Sequence, residues 1–575
     1  MRRARSHCWL MVCLALGLSV GRAEAALLED LYSNRLLFDD QGHPLIPVRM
    51  MERQQRVELW SEQPLKVELI DENNSQMGGR RVVVQRLRGA PAPVVVHQVL
   101  ETLEEDQRET RELTVDRWEK RGVPVRVVPV GGVYGVQGTV VDTRALLLVP
   151  RRALEPAVLE RWEVRPLEHI SLRGWPQLTV GVEVDGVASP ALGTPDVPAV
   201  VRVRVEDGAT LWVRDVEHNV GYANHGYADR ELRGEVIVLP DRFGTLAVVN
   251  IVPEHVLVAG ILPSEMFSTA PLEALKAQAV TARGELFAKI GRRHEGDPYV
   301  LCSEQHCQVY KGKTAETDRT NEAARATAGE LAFDGERLVD SVYSACCGGH
   351  TEAAHFVWER REKRALIGRP DVVDADPSAS PWRHPAASGS YFGRQLSHGA
   401  ANSPTPSLGR VPLDLREEQA VRHFLTLPRE ATFCGRSSFN RRGDAYRWER
   451  RFTVEELDRL VADLPVGHVR GLRIDERGSG GRLLSRVIEG DAGTTRIHRA
   501  LPVRKRFGNL RSGLFVIDEE RNQRGELLAV TLRGAGYGHG AGMCQQGAIG
   551  MAEEGHDYRT ILRHYFHGAT VRRVF

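Results

Sequence analysis

The chain has 575 residues, a formal net charge of +1, 42% hydrophobic and 27% charged residues. That length allows about three or four domains, and the composition is that of an ordinary globular protein. A near-neutral balance excludes the strongly basic footprint of a nucleic-acid binder.

The first 25 residues stand apart. Arg2, Arg3 and Arg5 precede an apolar run over 9–20, and Ala23-Glu24-Ala25 offers small residues before a cleavage point. This predicts a secretory signal peptide over 1–25. Cys8 and Cys13 lie too early for lipid attachment, and no later run is apolar enough to span a bilayer. The mature chain is therefore expected to be exported and without a membrane span, in a periplasm or extracellular envelope. Removing the leader moves the formal charge to about −2. Six cysteines remain: Cys302, Cys307, Cys346, Cys347, Cys434 and Cys544. An oxidising compartment invites disulfides, and the nearness of two cysteines to two histidines invites a metal.

In chain order, 26–100 reads as a β-rich N-terminal region, with alternating strands at 56–59, 65–70 and 81–84. Residues 101–160 read as a small α+β module: a charged helix over 101–119, then strands at 123–128 and 143–148. The remainder, 161–575, begins with strands at 180–184, 201–205 and 209–213. A hairpin of 233–238 and 244–250 feeds the stretch 251–287. There the apolar positions Leu272, Leu275, Ala279, Ala282 and Leu286 predict an amphipathic helix, with Pro271 at its start and Ser268 or Thr269 as cap. Upstream, Gly260-Ile261-Leu262-Pro263-Ser264-Glu265-Met266-Phe267 predicts a loop at a strand-to-helix junction. A helix follows over 317–331 and a strand over 338–344. A Pro/Ser/Gly-rich long loop is expected at 374–412. Thr453-Val454-Glu455-Glu456-Leu457 forms a capping box opening a short helix. Strands follow near Leu472 and Val487 and over 515–517 and 527–532, and a helix over 558–565. The fold class expected is α+β.

Four blocks carry chemistry. Glu265, a lone carboxylate among apolar neighbours, suits a general acid, because withdrawal from water favours its protonated form; its bland role is to complement the positive end of the next helix. His294, Cys302, His306 and Cys307 have the donor types and number of a closed zinc site, although a Cys302–Cys307 disulfide uses the same residues. In Cys346-Cys347-Gly348-Gly349-His350-Thr351 the glycines let a backbone approach a ligand, and the cysteines read as structural. The glycine-rich loop from Gly534 to Ala548 lacks the lysine of a phosphate-binding loop. A groove wall carrying His539, Gln545 and Gln546 fits a sugar chain better.

Taken together, these blocks resemble the SpoIID/LytB family, the sporulation stage II protein D and amidase-enhancer group. The resemblance rests on Leu246-Ala247-Val248-Val249-Asn250, on Gly260 through Met266, and on Glu273 through Arg283. It continues in 302–312, Gly348-Gly349-His350-Thr351, and 536–540 through Gly547-Ala548, covering about 230–575. Two departures are Phe267, where the family has Pro, and Cys544, where it has Ser. The resemblance implies a lytic transglycosylase acting on peptidoglycan glycan strands stripped of stem peptides, with Glu265 as catalytic acid/base in a catalytic loop. The candidate substrate-binding residues are Gln308, Tyr310, Gly348, Gly349, His539 and Gln545. The resemblance further implies a structural zinc on His294, Cys302, His306 and Cys307, and, in the alternative, a non-catalytic enhancer partnered with a cell-wall amidase.

Overall fold

The computed structural model describes residues 31–32, 36–70, 75–104, 108–136, 139–142, 144–161, 167–172, 174–194, 199–206, 208–220, 224–294, 296–358, 362–372, 414–440 and 445–575. The expected signal peptide at 1–25 and long loop at 374–412 lie outside the described residues. The architecture is α+β with a β-rich N-terminal region, divided into two compact units. The first comprises Met1–Ala270, Gln278–Asp340 and Thr570–Phe575; the second comprises Pro271–Ala277 and Ser341–Ala569.

The first unit is built on one large sheet. Its main path among the described residues runs Leu37–Phe38, Pro44–Gln54, Leu246–Pro253, Glu235–Pro240, Val200–Arg204, Arg56–Ile70, Ser75–Ala90, Gln177–Val184 and Val187–Ala188. The two strands expected at 56–59 and 65–70 are one continuous strand whose register against Ser75–Ala90 shifts between Trp60 and Leu65. The expected hairpin is present, with Val236 opposite Asn250 and Val238 opposite Val248. Strand Leu246–Pro253 is buried from Leu246 through Val252. That suits its run of apolar residues, which a strand exposed on one face would not show.

A smaller three-stranded sheet orders Glu101–Glu104, Ala145–Pro150 and Val125–Val130. Trp118, Val123, Val125 and Leu148 form its core with helix Arg108–Lys120. The helix expected from residue 101 starts later because Glu101 is in a strand. Its carboxylate accepts the Trp118 indole N–H (2.6 Å), tying helix to sheet.

The stretch 251–287 departs from expectation. Strand Leu246–Pro253 runs directly into helix Glu254–Glu265, so Glu265 is the last residue of a helix rather than part of a loop. Gly260 and Pro263 read as breakers in isolation. Here burial of Leu257, Val258, Ile261 and Leu262 outweighs their weak propensity. The helix stops as Met266 turns extended. The next helix, Leu272–Lys289, is buried nearly all round instead of along one stripe. Between the apolar positions lie Thr281 and Arg283, which are buried as well.

The second unit contains two three-stranded sheets. One orders Arg447–Thr453, Leu527–Ala535 and Phe515–Arg521; the other orders Val469–Arg477, Leu483–Gly490 and Thr494–His498. The expected capping box is formed: Thr453 and Glu456 each accept the other's backbone N–H at the start of helix Val454–Leu460. Helix Tyr558–Tyr565 is capped by Asp557, and helix Gln545–Glu553 by the Cys544 sulfur, which accepts the Gly547 N–H.

Candidate functional site

Glu265 is half-buried at the C-terminal end of its helix, between the buried Met266 and Ser264, whose buried hydroxyl has no hydrogen-bond partner among the described residues. A helix C-terminus disfavours negative charge. The helix itself is fixed from its first turn. Glu254 there is ion-paired with Arg283, and both side chains are essentially inaccessible. Glu254 also accepts the Gly329 N–H (3.0 Å), and Arg283 donates to the Glu330 carbonyl (3.2 Å).

Two expected substrate contacts prove to be interior groups. Gln308 is buried and donates to the Ala282 carbonyl (2.9 Å). Tyr310 is buried, and its hydroxyl donates to Asn250 Oδ1 (3.1 Å). The Tyr310 ring lies against Gly260, where an added Cβ would sit 2.5 Å from Cε2. Tyr310 thus braces the Glu265 helix and Gln308 the helix Leu272–Lys289, through tertiary packing that is invisible in their local sequence.

The structure brings His294, Cys302, His306 and Cys307 together, with one donor atom of each within 4.8 Å of all the others. Strand Leu301–Cys302 pairs in parallel with Pro44–Gln54 and delivers Cys302; a turn returns His306 and Cys307. His294 Nε2 lies 3.3 Å from Cys307 Sγ, and His306 Nδ1 lies 3.7 Å from Cys302 Sγ. Both cysteines are free. Asp297 faces His294 Nδ1 (3.4 Å), the outer carboxylate that orients a metal-binding imidazole. The adjacent Cys307 thiol, and then both imidazoles, pull the Cys302 thiol far below its ordinary range. Two sulfurs and two ring nitrogens in this cluster fit a tetrahedral zinc ion with no open position.

In the second unit, Gly348 and Gly349 are buried with φ of 74° and 103°. A Cβ would sit 2.6 Å from Gly536 N at the first and 2.9 Å from Thr432 Cγ2 at the second. The close approach they permit is between segments of the chain itself, not to a ligand. Gln545 is likewise buried, as the first residue of its helix. His539 is half-buried beside Trp358, with ring centroids 4.8 Å apart. Burial, and then the Arg482 charge, lower its pKa to about 4. The ring is therefore neutral at pH 7, and Nδ1 accepts the Ala541 N–H (3.1 Å). Tyr537 nearby in sequence is 47% exposed, with the Arg511 guanidinium 5.6 Å from its ring centre. Trp358, His539 and Tyr537 are ring-bearing residues of this unit that keep exposed surface.

Sequence reasoning missed the Glu254–Arg283 pair and Asp297. The first joins residues that are remote in sequence; the second was readable as a carboxylate three residues after His294.

Residues 242–333 match the family described as Stage II sporulation protein, and 386–542 match a domain of unknown function, DUF8618. An uncharacterized protein of Brachyspira hyodysenteriae is 26% identical over 341 residues, 59% of this chain and 72% of its own length. The amidase enhancer of Bacillus subtilis is 24% identical over 323 residues, 54% of this chain but only 40% of its own. Stage II sporulation protein D of the same organism is 21% identical over 337 residues, 56% of this chain and 75% of its own. No helix among the described residues is long and apolar enough to cross a membrane. With the glutamate-bearing helix inside the matched segment, the chain is similar to the SpoIID/LytB family.

Proposed function

We propose that the protein is an exported lytic transglycosylase that cleaves peptidoglycan glycan strands stripped of stem peptides, with Glu265 as general acid/base. The observation that carries this reading is Glu265 itself: half-buried, at a helix C-terminus, on a helix locked by a buried ion pair. The protonated carboxyl gives its proton to the glycosidic oxygen as the C1–O bond breaks. The resulting carboxylate then takes the proton of the muramic acid C6 hydroxyl, whose oxygen closes on C1. The product is a 1,6-anhydro end, and no water is consumed. One carboxyl group suffices, unlike the paired carboxylates of most glycosidases. Zinc on His294, Cys302, His306 and Cys307 would staple the chain around residue 300 and supply no catalysis, since four protein ligands close its coordination. Trp358, His539 and Tyr537 offer ring faces for sugar stacking.

The test is mass spectrometry of products released from peptide-free strands by the wild type and by Glu265→Gln. Anhydro-muramic ends from the wild type alone support the proposal; an active Glu265→Gln variant, or reducing muramic ends, sinks it. The second reading, favoured by the amidase enhancer among the relatives, is a non-catalytic glycan binder that stimulates a cell-wall amidase. It predicts strand binding with no products and faster amidase turnover.

A further inference from the structure

The second unit holds another cluster of metal-ligating groups, apart from the quartet around residue 300. Cys347, Asp371, Cys434 and Cys544 come from four separate segments, all four are buried, and one donor atom of each lies within 4.8 Å of all the others. Cys347 Sγ is 3.7 Å from Cys434 Sγ and 3.5 Å from Asp371 Oδ2. A tetrahedral zinc with Zn–S bonds of about 2.3 Å places its sulfurs about 3.8 Å apart. All the cysteines of this cluster are free.

Backbone N–H groups are aimed at two of the sulfurs. Cys544 Sγ accepts the N–H of Cys347 (3.1 Å) and of Gly547 (3.3 Å), and Cys347 Sγ accepts that of Gly349 (3.4 Å). Asp371 turns Oδ2 toward Cys347 and the Cys434 N–H (2.9 Å), while Oδ1 accepts the Tyr565 hydroxyl (2.6 Å). Such outer hydrogen bonds orient ligands and hold their negative charge. Three thiolates and a carboxylate buried without a cation would carry a prohibitive charge. We propose that Cys347, Cys434, Cys544 and Asp371 form a second, structural site for a thiolate-binding divalent ion of the zinc type, with Cys346 buried beside it but not a ligand. Binding releases the three thiol protons to solvent, and the closed ligand set makes the ion a staple.

The test uses the full chain carrying Cys302→Ser and Cys307→Ser, which removes the first quartet. Cobalt(II) is titrated under reducing conditions. The expected result is one equivalent bound, with an intense thiolate-to-cobalt charge-transfer band that zinc abolishes. Cys346→Ala retains the band; Cys434→Ala and Asp371→Asn lose or weaken it. The spectrum of the starting variant decides even where Cys434→Ala fails to fold. A folded protein that gives no band overturns the proposal, as does a band lost with Cys346→Ala but kept with Asp371→Asn. Alkylation of the exported protein that finds these cysteines joined in disulfides overturns it too.

Discussion

Arg283 and Glu254 are bound to each other in the interior of the first unit, and each also holds the backbone at residues 329–330. Removing one partner strands a buried charge, at a cost of about 3–5 kcal/mol. Glu254→Gln and Arg283→Met should each lower stability by that order in urea unfolding. Replacing both by apolar residues of similar volume should cost much less. A loss in the double variant equal to the sum of the two single losses would show that the pair is not the unit.

Removing metal should lower the melting temperature of the wild type, because an ion that binds only the folded chain stabilises it by mass action. His294→Ala and Cys307→Ser should melt lower and lose less on chelation. Activity measured well below the melting point should survive chelation. Its loss there, with the fold intact by circular dichroism, would give the ion a catalytic role.

Arg486 is fully buried, and all three of its guanidinium nitrogens lack a hydrogen-bond partner among the described residues; Phe507 faces it, 4.0 Å from the guanidinium carbon to the ring centre. Burial lowers its pKa to about 9. An unpaired buried cation is costly, and the cation–π contact offsets only part of that. Arg486→Met should therefore raise the melting temperature, by about 1–4 kcal/mol in stability. A lower melting temperature would reveal a partner for the guanidinium.

His539 makes the protein acid-sensitive in a defined window. Its value falls from 6.5 to about 4 on folding, so between those limits the unfolded chain binds the proton first. Stability should fall as pH drops from about 6.5 to about 4, and this contribution should be absent in His539→Gln. Urea midpoints at the two ends of the window measure it. An imidazole resonance titrating near its ordinary value would contradict it.

Local patterns carried much of the fold. The hairpin of Glu235–Pro240 and Leu246–Pro253, the Thr453–Glu456 capping box and helix Tyr558–Tyr565 each rest on neighbouring residues, so their signals were readable. The quartet of His294, Cys302, His306 and Cys307 was readable for the same reason. What failed was tertiary. Pro263 breaks isolated helices, but not one whose apolar residues are already buried. Gln308 and Tyr310 look like polar binding groups until packing assigns them Ala282 and Asn250. Asp371 joins the cysteines from a segment with no motif of its own.

Strand Thr570–Arg573 pairs with Glu330–Asp334 inside the first unit, across the whole length of the second. Domains ordinarily fold in the order of their synthesis. Here the earlier-made unit waits for residues made after the later one, so its sheet edge at Glu330–Asp334 stays open until the second unit has been made. Any truncation upstream of Thr570 would leave that edge permanently unpaired, an invitation to pair with another chain. Residues 570–573 thus make the first unit's sheet depend on chain that follows the whole second unit.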